Sequence, residues 1–326
     1  MKYITVKPHG GWAGIGHQFT NWLVPNILAQ RYGLKFVHQP FVGDTDGTYS
    51  QQGSNAFQIT RPVKEWNDFL NFNEGQLTLQ DLPDHVTLQL PYISQEEATW
   101  NHTLYKTVID GDHAKFGYKK ILYLVSEQSD GQFINIDWDF YKNNNLKIRY
   151  NHSEQVKNFK CYFDKDNINV AIAIRRGDVK KDQQFRRWMD LDYYLHIINA
   201  LANIKELKHI IFHIYTWDMP EEEKNALLLH SIFGKTQGCT REIKLHIDED
   251  VFSTFYHFTK ADIFVSGQGA FSLMANYLAD GIKLTTPFYM HWKNFPSDIE
   301  DLIPINNGIF DTDKLLLAIE KKNENP

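Results

Sequence analysis

The stretch Asn169–Asp178, NVAIAIRRGD, decides how the chain is read. Its apolar run shows no polar alternation, as expected of a strand buried on both faces of a parallel sheet. It stops abruptly at Arg175, Arg176, Gly177 and Asp178. In open parallel sheets, ligands bind beyond the carboxyl ends of the strands. Two guanidinium groups at such an end are therefore candidates for holding an anion.

Downstream, strand and helix patterns alternate regularly. The helix pattern DLDYYLHIINAL places Tyr194, Ile197, Ile198 and Leu201 on one face, and the strand HIIFHIYT follows. Asp218-Met-Pro-Glu-Glu-Glu opens a helix, with proline near its first position and acids where the helix dipole favours them. EIKLHI, ADIFVSG and FSLMANYLAD continue the rhythm, and DTDKLLLAIEKK is a last helix capped by Asp311 or Thr312. Such alternation implies an α/β domain with a parallel sheet.

Upstream, Tyr3–Val6 reads as a strand, followed by the glycine-rich turn GGWAGIG. A helix follows with Phe19, Trp22, Leu23 and Ile27 on one face, and Pro25 is expected to kink or interrupt it. Residues 40–165 are rich in Asn, Asp, Gln and aromatics and read only as mixed. The change of texture puts a boundary between residues 1–165 and 166–326. The length, 326 residues, suits two domains.

Composition excludes several classes. A formal charge of −6, from 34 basic and 40 acidic residues, argues against a general nucleic-acid binder. The two cysteines, Cys161 and Cys239, exclude a disulfide scaffold and fit a reducing compartment. No apolar stretch is long enough for a membrane span, and the first residues are too short and polar for a signal segment. The chain reads as cytoplasmic. Asp-x-Asp pairs recur seven times, too often to mark a metal site, and no cysteine cluster suggests zinc. No serine-hydrolase elbow or Walker lysine is present.

Three segments can carry chemistry. Paired arginines answer a diphosphate with bidentate hydrogen bonds, and Asp178 can orient one of them or close the turn. The alternative is a structural salt bridge between an arginine and an acid; an adhesion Arg-Gly-Asp is a remoter one. Gly14-x-Gly16 leads into a helix whose N-terminus can accept an anion, with His17 at its mouth as a reactive or simply packing histidine. Ser266-Gly267-Gln268-Gly269-Ala270, ahead of Phe271-Ser272, offers small residues that let backbone N–H groups approach a phosphate, or is an ordinary strand-to-helix turn.

In order and spacing these segments resemble the superfamily of GDP-fucose-dependent fucosyltransferases, most closely its bacterial α-1,2 branch. Gly16-His17-Gln18 stands where that family has Gly-Asn-Gln, and Ala173-Ile174-Arg175-Arg176-Gly177-Asp178 where it has His-x-Arg-Arg-Gly-Asp. Leu191-Asp192-Tyr193-Tyr194 matches a helix start. Gly269-Ala270-Phe271-Ser272 with LMANYL matches a late Ser-Ser-Phe-Ser and its helix, and Pro287 and Trp292 follow.

The resemblance implies a GT-B-like fold of two Rossmann-like domains with parallel sheets facing a cleft. The N-terminal domain would take the acceptor glycan and the C-terminal one the nucleotide sugar. Transfer would be inverting, with no metal and no cofactor beyond the GDP-fucose donor. Arg175 and Arg176 would stabilise the departing diphosphate and His17 would act as base. Gly14, Gly16, Asp178, Gln268, Gly269, Ala270, Phe271 and Ser272 would complete the donor site. The departures fall on the donor side: Ala173 replaces a histidine, Gly269 and Ala270 replace two serines, and Thr254 replaces an aspartate found in some relatives. They leave open another nucleotide sugar, a non-catalytic binding module or a nucleotide-sugar hydrolase.

Overall fold

The computed structural model describes residues 2–7, 14–42, 62–90, 102–117, 119–125, 138–177, 179, 181, 188–233, 240–286 and 299–324. The chain divides into two compact units, one running to Lys157 and the other from Asn158. This division comes earlier than the 165/166 boundary read from the sequence. The segment after Lys157 carries no strand or helix of its own and packs on the second unit. There Phe159 stacks on Tyr256 at 4.8 Å and Tyr162 on His257 at 3.5 Å between ring centres.

The first unit contains β1 (Lys2–Val6), α1 (Ile15–Tyr32), β2 (Lys35–Phe36), α2 (Val63–Leu70), β3 (His85–Gln89), α3 (His102–Asp110), β4 (Lys120–Val125), α4 (Trp138–Asn143), α5 (Leu146–His152) and α6 (Glu154–Lys157). Its four strands lie in the order β2-β1-β4-β3, all pairs parallel. α1 is buried on nearly every side, including Phe19, Trp22, Leu23, Ile27 and Leu28. It runs unbroken through Pro25, so the expected interruption does not occur. Packing on all faces outweighs the missing N–H, and Asn26 Nδ2 adds a bond to the Trp22 carbonyl at 2.9 Å. The helix ends at Gly33, whose φ of 62° lets its N–H reach the Ala29 carbonyl.

The second unit contains β5 (Ile168–Ala173), α7 (Leu191–Ala202), β6 (His209–Thr216), α8 (Glu221–Phe233), β7 (Thr240–Ile247), α9 (Val251–Lys260), β8 (Ile263–Ser266), α10 (Ala270–Leu278), β9 (Ile282–Thr285), β10 (Leu302–Pro304) and α11 (Thr312–Glu324). The sheet order is β10-β9-β8-β5-β6-β7, again all parallel. Counted from β5, this is the Rossmann order 3-2-1-4-5-6. Both units are thus parallel α/β folds, as the alternation implied for the second and the resemblance for both. Asp250 caps α9 through the N–H groups of Phe252 and Ser253, and Asp311, not Thr312, caps α11 through Lys314 N–H. Val170, Ile172, Ile210, Phe212 and Ile214 fill one face of the sheet together with α7.

The opposite face of β5–β7 is polar and aromatic, with Asn169, His213, Tyr215 and His246 covered by Tyr162 and Phe163. Asn169 Nδ2 donates to the carbonyls of Asp164 and Asn167 and to Asp262 Oδ2, which turns its Oδ1 toward His213 Nε2 at 3.3 Å. His213 Nε2 must therefore carry a hydrogen, and its Nδ1 is left to accept from His246 Nε2 at 3.0 Å. His246 Nδ1 in turn donates to Glu249 at 2.6 Å. On the neighbouring helix, His257 Nδ1 donates to the Ser253 carbonyl while its Nε2 accepts the Tyr162 N–H. Each of these assignments leaves His213 and His257 neutral.

Burial, aided by His246, holds His213 down to about 3, and burial holds His257 down to about 4. In the first unit, burial likewise holds His38 down to about 4, and its Nδ1 accepts from the Trp22 indole at 3.2 Å. The unfolded chain, whose histidines titrate near 6.5, then binds protons that the folded chain refuses. Stability is full above about pH 6.5 and falls as pH drops toward 4, by about 1.4 kcal/mol per pH unit for each histidine. Urea unfolding at a series of pH values should show this slope, and His257→Phe should make it shallower.

Candidate functional site

The order of the second sheet reverses between β5 and β8, and the crevice for ligands opens beyond their carboxyl ends. Two of the segments singled out in the sequence meet here. β5 runs out at Ala173 into Ile174-Arg175-Arg176, and β8 runs out at Ser266 into Gly267-Gln268-Gly269 before α10. Contact between the two ends is intimate. A Cβ on Gly267 would lie 2.7 Å from the Ala173 carbonyl oxygen, so only glycine lets the backbones come this close. A Cβ on Gly269 would lie 3.2 Å from Nη1 of Arg175, so the guanidinium passes directly over that glycine. Gly177 follows the arginines with φ +72°, a turn that favours glycine.

Gly269 is the N-cap of α10 and has no side chain with which to cap it. The helix makes its first backbone bond from Leu273 N–H to the Gly269 carbonyl. The N–H groups of Ala270, Phe271 and Ser272 form its positive end, beside the half-buried Arg175. A guanidinium beside a helix N-terminus is a combination whose chemistry suits an anion such as a phosphate. Gln268 is half-buried in the same turn, and Ser272 is buried. The Phe271 ring packs on Phe255 at 5.2 Å and Phe258 at 6.3 Å, so it belongs to the α9–α10 contact. Asp178, Pro287 and Trp292 lie outside the described residues, and Tyr277 is core.

Arg176 does different work from Arg175. It is 1% exposed, and its Nε and Nη2 donate to the two carboxylate oxygens of Glu223 at 2.7 and 3.0 Å. Nη2 also donates to the Met189 carbonyl and Nη1 to that of Arg175, while Trp188 stacks 3.9 Å from the guanidinium carbon. Four of its five N–H donors are thereby committed, and the side chain is closed to a diphosphate. The expectation that both arginines face the donor is corrected for Arg176. The salt-bridge alternative holds for it, because Glu223 from the first turn of α8 reaches it across 47 residues of sequence.

Sequence reading also missed a small buried network beneath the crevice. Ser266 Oγ donates to Thr285 Oγ1 at 2.8 Å, and Asn276 Nδ2 reaches both at 3.2 Å. It ties the ends of β8 and β9 to α10 and so fixes the helix whose N-terminus lines the crevice. Nearby, Tyr193 hydrogen-bonds Thr286, and burial raises this tyrosine to about 12.

The third segment lies in the first unit. Gly14 is the N-cap of α1 and accepts the Gln18 N–H at 3.1 Å; Gly16 is buried, and His17 is half-buried on the first turn. The Thr20 hydroxyl donates to the His17 carbonyl. Among the described residues, no group of three or more His, Cys, Asp or Glu side chains could hold a metal ion. No described helix is long and apolar enough to cross a membrane.

No family model matches the chain, and no curated protein matches it. Solved structures similar to it include the following two. One is a FUT1 variant from Arabidopsis thaliana in complex with GDP, 11% identical, spanning 87% of this chain and 70% of that one at a TM-score of 0.45. The other is a trehalose-6-phosphate protein from E. coli bound with UDP-2-fluoro glucose, 11% identical, spanning 100% of this chain and 92% of that one at 0.33. The fold assignment rests on the strand order of the chain itself.

The two arginines should separate in a stability measurement. Arg176→Met strands the Glu223 carboxylate, whose side chain is only 13% exposed, and should lower urea stability by about 3 kcal/mol. Adding Glu223→Leu should recover most of that loss, and Arg175→Met should leave stability within about 1 kcal/mol of the parent.

Proposed function

We propose that the chain is a nucleotide-sugar-dependent glycosyltransferase that moves fucose from GDP-fucose to a glycan hydroxyl by inverting displacement without a metal. The observation that supports this best is the meeting of Arg175, Gly267–Gly269 and the N-terminus of α10 at the switch point of a Rossmann-ordered sheet. The order of motifs shared with GDP-fucose-dependent fucosyltransferases supplies the donor.

In this reading the diphosphate sits against Arg175 and the first N–H groups of α10. As the sugar–oxygen bond breaks, negative charge grows on the β-phosphate, and these fixed donors stabilise it. Aimed donors of this kind are worth about 3 kcal/mol, or roughly a hundredfold to a thousandfold in rate. Arg176 acts through its neighbour: by holding the Arg175 carbonyl, Met189 and Glu223, it sets the turn from which Arg175 projects. The acceptor's hydroxyl proton needs a base, and His17 is the proposed one, since imidazole titrates near neutral pH. Ala173, Gly269 and Ala270 replace the family's histidine and serines, and this favours another nucleotide sugar as the second reading.

Thermal unfolding with GDP, GDP-fucose, GDP-mannose and UDP-sugars tests the donor. Stabilisation by GDP and GDP-fucose supports the proposal, stabilisation by a UDP-sugar alone supports the second reading, and no stabilisation by any of them refutes both. Arg175→Ala should lose at least about a hundredfold in transfer and most of the GDP-induced shift while folding normally. A turnover within a few-fold of the parent would remove Arg175 from the mechanism.

A further inference from the structure

The connection from β5 to α7 is closed at its base by one side chain. Arg176 Nη1 donates to the Arg175 carbonyl at 2.9 Å, at the exit of β5, and Nη2 donates to the Met189 carbonyl at 3.0 Å, at the entry to α7. The guanidinium that spans the two ends is covered by the half-buried Trp188, whose ring centre lies 3.9 Å from the guanidinium carbon. Trp188 has a second hold. Its indole Nε1 donates to Asp190 Oδ1 at 3.1 Å, and Lys181 Nζ donates to the same oxygen at 2.7 Å. The indole therefore links the buried Arg176 to the residue from which α7 starts.

Asp190 departs from the usual behaviour of its position. It is the N-cap of α7 with an extended backbone, where an aspartate ordinarily accepts an N–H of the first turn. Here its side chain makes no cap bond and turns to Trp188 and Lys181. Local stabilisation of the helix is given up to anchor the connection, and places where a local rule is broken in this way are where function is expected. The indole also does what a smaller side chain could not. One rigid group stacks on a cation and holds an acceptor at its edge. By covering the guanidinium, it keeps water from competing for the bond to the Arg175 carbonyl. Arg175 itself passes over Gly269, at the N-terminus of α10.

We infer that Trp188 is a positioning residue for the anion-binding crevice: stacked on Arg176 and tied to Asp190, it fixes the backbone from which Arg175 reaches over Gly269. That a nucleoside diphosphate meets Arg175 rests on the glycosyltransferase reading above, whereas the hold of Trp188 on the Arg175 backbone does not. Trp188 acts through Arg176 and Arg175 rather than by touching the ligand. Removing it should therefore loosen Arg175 before any ligand is added.

Two measurements on the full chain test this, both made well below the melting temperature of each variant. In ligand-free protein, the NMR order parameter of the Arg175 backbone N–H should fall from about 0.85 to below about 0.7 in Trp188→Ala, and Trp188→Phe, which keeps a ring over Arg176, should restore it. By calorimetry, Trp188→Ala should bind GDP and inorganic pyrophosphate about tenfold more weakly than the parent, and Trp188→Phe within about threefold of it. If Trp188→Ala does not fold, Trp188→Leu takes its place. An order parameter unchanged in Trp188→Ala, or affinities equal to the parent's, overturns the proposal and leaves Trp188 as a cover for a structural ion pair. Unchanged GDP affinity in Trp188→Ala, with a parent that binds GDP, sinks the positioning role and leaves the donor reading standing. A parent that binds pyrophosphate but not GDP, with the same dependence on Trp188, refutes the donor reading and keeps the positioning role. A parent that binds neither overturns both.

Discussion

The second unit is organised around one close approach, the backbone of Gly267 against the carbonyl of Ala173. No side chain fits between them, so the outgoing ends of β5 and β8 meet at backbone distance. Two further features follow from that meeting: Arg175 can cross Gly269, and the start of α10 can open onto the same crevice. The buried bonds among Ser266, Thr285 and Asn276 hold the arrangement from below. Gly281 imposes a similar constraint at the other end of the helix, where a Cβ would fall 1.9 Å from the Ala261 carbonyl oxygen. Both glycines are required by space, since neither has a left-handed backbone.

The second unit was legible in the sequence for a physical reason. Strands of a parallel sheet covered on both sides read as unbroken apolar runs, and NVAIAI, HIIFHIYT and ADIFVS each fall on a strand. The first unit was less legible because its strands are short or half-exposed. β2 has two residues, and β3 alternates between half-buried and exposed positions. Pro25 misled because local propensity was overruled by burial on all sides of α1.

The site was legible in outline only. Spacing identified the turns that meet at the crevice, but it could not divide the labour between Arg175 and Arg176. That division depends on Glu223, which looked like one of three acids serving a helix dipole. A hint was available: a strand-end arginine followed by a glycine turn and a later acidic helix start is compatible with an internal ion pair. The histidines of β6 and β7 were hidden, because a strand pattern does not reveal which face is polar.

The row from Asn169 through His213 and His246 to Glu249 ends in an acceptor on both sides. Asn169 can offer only its oxygen and Glu249 only its carboxylate, so both ends accept: the His213 Nε2 hydrogen points to Asn169, and the His246 hydrogens point outward to His213 and to Glu249. Turning the Asn169 oxygen away from His213 would require breaking the three bonds that hold the Asn169 amide nitrogen. This polar face of the sheet thus draws its hydrogens outward from His246, with an acceptor waiting at each end.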